Sequence, residues 1–186
     1  MSLAYSIVEM LCALYRDRGA AQYDGEATTQ TEHAIQCALL ARSEGAEPWL
    51  VCAALVHDIG HLLSSNRHLR TQVGVIDHGH LGAEFLLCLG FPPEITETVR
   101  LHAEAKRYLC TVTPEYADVL SDASRQSLVL QGGLMSAEEC EAFAACEWAD
   151  SAVRVRRWDD RAKIVNLAGL PPFEAFSDAL VEVQKC

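Results

Sequence analysis

The chain has 186 residues, half of them apolar, with 15 Lys and Arg against 26 Asp and Glu for a formal charge of -11. That is enough chain to bury a core, and its acidity excludes a sequence-independent nucleic-acid binder, which needs cations to neutralise phosphates. The longest apolar run, Trp49 to Val56, is too short to cross a bilayer, and the N-terminal apolar stretch carries Glu9 and leads to no small-residue cleavage site, so no membrane partner and a cytoplasmic location are expected.

In chain order, a helix is expected over about Leu3 to Arg16, where Leu3, Ile7, Met10, Leu11 and Leu14 share one stripe. A Gly-containing loop, Gly19 to Thr28, follows. Thr29 and Glu32 fit a capping box, and the helix they open should stop near Gly45. Pro48 suits the first turn of the next helix, which should end at Gly60. A helix around Leu81 to Leu89 is closed by Gly90, and Pro93 opens another that carries His102. Thr113-Pro114 signals a further helix running to Gly132-Gly133, and Ser136 with Glu139 forms a second capping box for a segment reaching Cys146. Asp150 to Trp158 and a short helix after Pro171-Pro172 complete the chain. No run alternates with period two, so the expected fold is all-α, one domain over residues 1–186, compact enough for a monomer.

Eight cysteines are scattered without a C-x-x-C pair, mostly at apolar helical positions, and read as buried, reduced hydrophobes. The chemistry lies instead in His33, the pair His57-Asp58, His61, His78, His102 and Asp159. An ionisable His-Asp pair at the end of so apolar a helix as Leu50 to Val56 is costly unless something binds it, and a metal is the usual remedy. Imidazole and carboxylate donors together suit first-row transition metals better than calcium or magnesium. Even four of these histidines with the two carboxylates are too many for one ion, which points to a dinuclear centre bridged by Asp58. His80, two residues from His78, should face elsewhere as a surface histidine.

The order H…HD…H…H…D resembles the dinuclear members of the HD-domain superfamily. The resemblance assigns His33, His57, Asp58 and Asp159 to one metal and Asp58, His78 and His102 to the other. Five further segments carry a narrower likeness: Tyr23-Asp24-Gly25-Glu26, Ala105-Lys106-Arg107-Tyr108-Leu109, Leu120-Ser121-Asp122-Ala123-Ser124-Arg125, Gln131-Gly132-Gly133 and Arg156-Arg157-Trp158-Asp159. From about Tyr23 to Lys163 they are similar to the di-iron phosphonate oxygenases that split a carbon–phosphorus bond. This likeness implies two iron ions, Fe(II)/Fe(III), with O2 as cosubstrate. The implied substrate is a small 1-hydroxyphosphonate with an amine or quaternary ammonium on the next carbon, and the implied products are phosphate and glycine or glycine betaine.

The likeness also gives roles to individual residues. His61, Lys106, Ser124 and Arg156 would hold the phosphonate, Glu26 the ammonium, and Tyr23 would gate the iron from a lid loop at about residues 19–30. His61 and Lys106 each lie four residues after a ligand histidine, a spacing that keeps helical neighbours on one side. Tyr108 and Trp158 could add aromatic faces for a quaternary ammonium. Three other readings share parts of the pattern: a metal-dependent phosphohydrolase of a nucleotide or phosphoester, an oxygenase of the inositol oxygenase type, and a non-catalytic HD module.

Overall fold

The computed structural model describes residues 3–20, 26–63, 70–71, 74–75 and 77–184. Its helices are α1 (Leu3–Arg18), α2 (Gln30–Ser43), α3 (Pro48–Val56), α4 (Gly60–Leu63), α5 (His78–Cys88), α6 (Pro93–Val112), α7 (Asp122–Leu130), α8 (Ala137–Ala144), α9 (Ala149–Arg161) and α10 (Ser177–Gln184). Two 3-10 turns, Pro114–Val119 and Phe173–Phe176, precede α7 and α10. The strands β1 (Arg70–Thr71) and β2 (Gly74–Val75) pair antiparallel over two residues each, too short to leave an alternation in the sequence. The fold is the all-α one expected, and no described helix is long and apolar enough to cross a membrane.

The middle of the fold is α3. All of Leu50 to Val56 is buried, and a helix apolar on every side requires neighbours on every side. Those neighbours are α2, α6, α9 and α10. The signals that bound these helices act as the sequence implies. Thr29 and Ser136 each accept from the amide three residues on while Glu32 and Glu139 reach back, and Gly45 and Gly90 take φ of 70° and 79° just beyond α2 and α5.

At the C-terminal end of α3 the chain tightens. Ile59 N–H bonds Val56 O at 3.0 Å and His61 N–H bonds Asp58 O at 2.9 Å, so a compact turn over residues 57–59 separates α3 from α4. Gly60, directly after it, abuts the start of α5: a Cβ there would lie 2.0 Å from the His78 carbonyl oxygen. The expectation of one helix up to Gly60 is therefore corrected to a helix, a turn and a second short helix, and the turn is what projects His57 and Asp58 together.

The other correction concerns residues 114–133, where one helix was expected. The 3-10 turn ends at Leu120, which is extended at φ -69°, ψ 143°, and α7 starts afresh with Ser121 as its cap, the hydroxyl accepting from Ser124 N–H at 3.2 Å. A serine followed by an aspartate supplies its own helix start, and burial of Leu120 holds the bend that precedes it. The break places Ser121 and Ser124 against the end of α9 instead of out along a continuous rod.

Candidate metal centre and adjoining pocket

Four histidines from four elements meet behind the α3 turn: His33 of α2, His57 of the turn, His78 at the first residue of α5 and His102 in α6. Each is buried, and each directs Nδ1 to a backbone carbonyl: His33 to Ala162 O at 2.9 Å, His57 to Ala54 O at 2.8 Å, His78 to Val75 O at 2.7 Å and His102 to Val99 O at 2.6 Å. Only an N–H can bond a carbonyl, so in the neutral ring the proton sits on Nδ1 and the lone pair on Nε2. Three of these acceptors lie three residues earlier in the chain. The fourth, Ala162, caps α9, where carbonyls lack partners within the helix.

The four Nε2 atoms face Asp58. Its Oδ2 lies 3.3 Å from His57 and 3.6 Å from His33, and its Oδ1 lies 3.2 Å from His102 and 3.4 Å from His78. One carboxylate thus divides its two oxygens between two imidazole pairs. Asp159, on the last turns of α9, adds Oδ1 at 3.4 Å from His33. Asp58 Oδ2 and Asp159 Oδ1 are buried without a hydrogen-bond partner. Orphaned carboxylate oxygens cost several kcal/mol, roughly, unless a cation meets them. Lone pairs on four imidazoles and bare oxygens on two carboxylates fit a pair of transition-metal ions, and a metal centre is what this cluster can hold.

The electrostatics agree. Burial alone would lower the His57 pKa, yet the Asp58 charge beside it lifts it to about 8. Burial alone would raise Asp159, yet the Arg156 guanidinium beside it holds its carboxyl well below the usual range. A field that keeps both carboxylates charged and draws a proton onto His57 favours a metal cation in the same place. Cys37 Sγ lies 3.8 Å from His33 Nε2, and burial pushes its thiol well above its ordinary pKa, so without a metal it stays protonated. The seven described cysteines form no disulfide, and Cys12, Cys52 and Cys110 are buried hydrophobes.

His61 belongs to the cluster but is wired the other way. The Val75 N–H donates to its Nδ1 at 3.1 Å, which places the proton of the neutral ring on Nε2. Its ring stacks on His78 at 4.1 Å, and Nε2 is 3.9 Å from Asp58 Oδ1. It offers an N–H toward the centre where the other four offer lone pairs. The spacing rule reached this residue by a wrong route, since the helical turn does not continue from His57. It holds for Lys106, because α6 runs unbroken through His102.

A small cavity opens on the Asp58 side and is lined by Glu26, His61, Lys106, Ser124, Ser127, Arg156 and Lys163, among others. Lys106 is buried and donates to Ser127 Oγ at 2.5 Å; burial first, then the Arg156 charge, lowers its ammonium to about 7. Arg156 reaches the cavity wall with its fork on Asp159 at 2.6 Å and on Asp160, while Nη2 lies 3.5 Å from Ser124 Oγ. Glu26 accepts from Lys163 Nζ at 2.8 Å and from the Ser121 hydroxyl. Lys163, Ser121 and Ser127 escaped the sequence reading. The spacing of Lys163, four residues after Asp159, was a signal for it, whereas nothing foretold that the α7 break brings two serines here.

Tyr23 and residues 21–25 of the expected lid lie outside the described residues. Tyr108 and Trp158 supply no face to the cavity: Tyr108 packs on Phe143 at 4.8 Å, and Trp158 fills the core with Nε1 2.8 Å from Glu44. That expectation is corrected, because helical periodicity points both rings away from the face that carries the ligands. His80 is exposed and bonds Asp77 at 2.8 Å.

With this geometry in hand, comparison with known proteins gives a consistent result. The HD domain family model matches residues 31–167. A hydroxymethylphosphonate dioxygenase of Gimesia maris is 40% identical over 181 residues, 96% of this chain and 87% of its own length. A [1-hydroxy-2-(trimethylamino)ethyl]phosphonate dioxygenase (glycine-betaine-forming) of Leisingera caerulea is 40% identical over 164 residues, 87% of this chain and 83% of its own length. An uncharacterised protein of Acanthamoeba polyphaga mimivirus is 33% identical over 177 residues, covering 94% and 80%.

Proposed function

The chain belongs to the HD-domain phosphonate oxygenase family, and on that footing we propose that it uses two iron ions and O2 to cleave the C–P bond of (R)-1-hydroxy-2-ammonioethylphosphonate or its N-trimethyl analogue. The products are phosphate with glycine or glycine betaine. Atoms balance without another oxidant or water: the two oxygens of O2 appear in the carboxylate and the phosphate. The carrying observation is the Asp58 carboxylate shared between two pairs of imidazole lone pairs, beside a cavity lined by cations and hydroxyls.

His33, His57, Asp58 and Asp159 would hold one iron, and Asp58, His78 and His102 the other. Bound there, the pair would supply Lewis-acid activation of the substrate hydroxyl and a redox relay through which electrons of the substrate reach O2. The remaining residues position the substrate. Lys106 and the Ser124 hydroxyl meet the phosphonate oxygens, and His61 donates its Nε2 proton to the same group, a role that its Val75 hydrogen bond enforces. Arg156 orients Asp159 through a charged bond and faces the phosphonate from beneath Ser124. Glu26 receives the ammonium. A carboxylate suits a primary ammonium, as a hydrogen-bond acceptor, and a trimethylated one, as a nearby negative charge, so Glu26 serves either compound. We read the segment carrying Tyr23 and Glu26 as the lid of this single HD domain.

Phosphate release from both compounds and from hydroxymethylphosphonate, by iron-loaded protein with and without oxygen, tests the proposal. Oxygen-dependent phosphate supports it. Phosphate only from a phosphoester, and without oxygen, would move the site to hydrolysis.

A further inference from the structure

Lys163 follows the cap of α9, four residues after Asp159, and its ammonium makes three bonds: to Glu26 Oε1 at 2.8 Å, Ser121 Oγ at 3.2 Å and Ser124 Oγ at 3.0 Å. Its side chain and that of Glu26 are each 13% exposed, so the pair stands in the cavity wall and is only partly screened by water. The carboxylate that would greet a substrate ammonium is thus already matched by an ammonium of the chain. On losing Glu26, Lys163 still has two hydroxyl acceptors, and one of them, Ser124, also faces Arg156. Exchange therefore strands neither charge.

We propose that Lys163 is a specificity-determining residue: it is the resident counter-ion of Glu26, displaced by a substrate ammonium and left in place by a hydroxyphosphonate that has none. The proposal rests on the phosphonate reading of the cavity given above. Selectivity is then a competition between two ammoniums for one carboxylate. A substrate with no ammonium meets a wall whose charges are closed on each other. An ammonium substrate takes Glu26 and leaves Lys163 on its two hydroxyl acceptors.

Two substitutions make opposite forecasts. Lys163→Met opens Glu26, so the ammonium compound binds more tightly, while a dianion without an ammonium meets an unbalanced carboxylate and binds more weakly. Glu26→Gln does the reverse. The test is calorimetric affinity of the iron-loaded full chain, without oxygen, for (R)-1-hydroxy-2-aminoethylphosphonate and for hydroxymethylphosphonate. The affinity ratio should move about tenfold toward the ammonium compound in Lys163→Met and about tenfold away from it in Glu26→Gln, and Lys163→Arg should keep the wild-type ratio. Equal changes for both compounds, or shifts of the same sign in the two variants, would overturn the counter-ion role while leaving the phosphonate reading intact. Failure of the wild-type protein to bind either compound would overturn both. Binding with the forecast shifts but no oxygen-dependent phosphate would support the counter-ion and remove the oxygenase chemistry.

Discussion

Lys106 offers a sharp test, because one side chain should link catalysis and stability to pH in opposite senses. Its ammonium is buried on α6, with Ser127 as hydrogen-bond partner, and burial with the Arg156 charge lowers it to about 7. Only the charged form pairs with a phosphonate. kcat/KM should therefore fall about tenfold per pH unit on the alkaline side of about 7. Lys106→Met removes a charged hydrogen bond worth about 1.5–3 kcal/mol, which lowers kcat/KM by about 10- to 150-fold near neutrality and flattens that limb. In the metal-free protein the linkage runs the other way. An unfolded lysine keeps its proton to about 10.4, and the folded one loses it near 7, so the unfolded state holds more protons between those values and raising the pH stabilises the fold. The ceiling is about 5 kcal/mol across the window. Urea unfolding at intervals across it, wild type minus Lys106→Met, should trace that rise. An alkaline limb that survives in the variant, with no difference between the two stability curves, would refute the reasoning.

Asp58→Asn keeps the shape of the bridge but replaces an oxygen by an amide nitrogen, so at least one iron should be lost and affinity there should fall by about 100-fold or more; metal analysis after dialysis that finds two ions per chain would contradict the bridge. His61→Gln should retain both irons, since its lone pair is turned to Val75, and should cost about 10- to 100-fold in kcat/KM; loss of iron would instead make it a ligand. Gly60→Ala should lower the midpoint of thermal unfolding by about 8 °C or more and weaken iron binding with it, because a methyl group has no room against the His78 carbonyl; unchanged unfolding would mean that α4 and α5 separate cheaply.

Much of this arrangement could be read from the sequence, and the reasons differ by residue. Caps are local, so Thr29, Ser136, Gly45 and Gly90 marked the helices they bound. The metal cluster was legible because burying His57 and Asp58 against Leu50 to Val56 makes little physical sense without a cation. What stayed hidden depends on tertiary turns. The new start at Ser121 was overrun because the Thr113-Pro114 signal looked sufficient, and with it went the serines that bond Lys163. The distance between Lys163 and Glu26, 137 positions apart, is set only once α9 packs on α2 and α6. Tyr108 and Trp158 misled because being next to a ligand or pocket residue in a helix turns a side chain to another face.

The short hairpin carries information that its size conceals. One residue, Val75, accepts a hydrogen bond from His78 through its carbonyl and donates one to His61 through its amide, so two stacked rings are given opposite chemical identities by a residue whose own side chain does nothing polar. Replacing valine by alanine would cost some packing, since Val75 is buried, but would leave both bonds in place, so a conventional side-chain scan would register a loss of stability and miss the role of the backbone. A proline, or a backbone ester that deletes only the amide proton, would erase the instruction to His61 while sparing the one to His78. The message is written in the main chain, and it is there that a search for further determinants of reactivity should look.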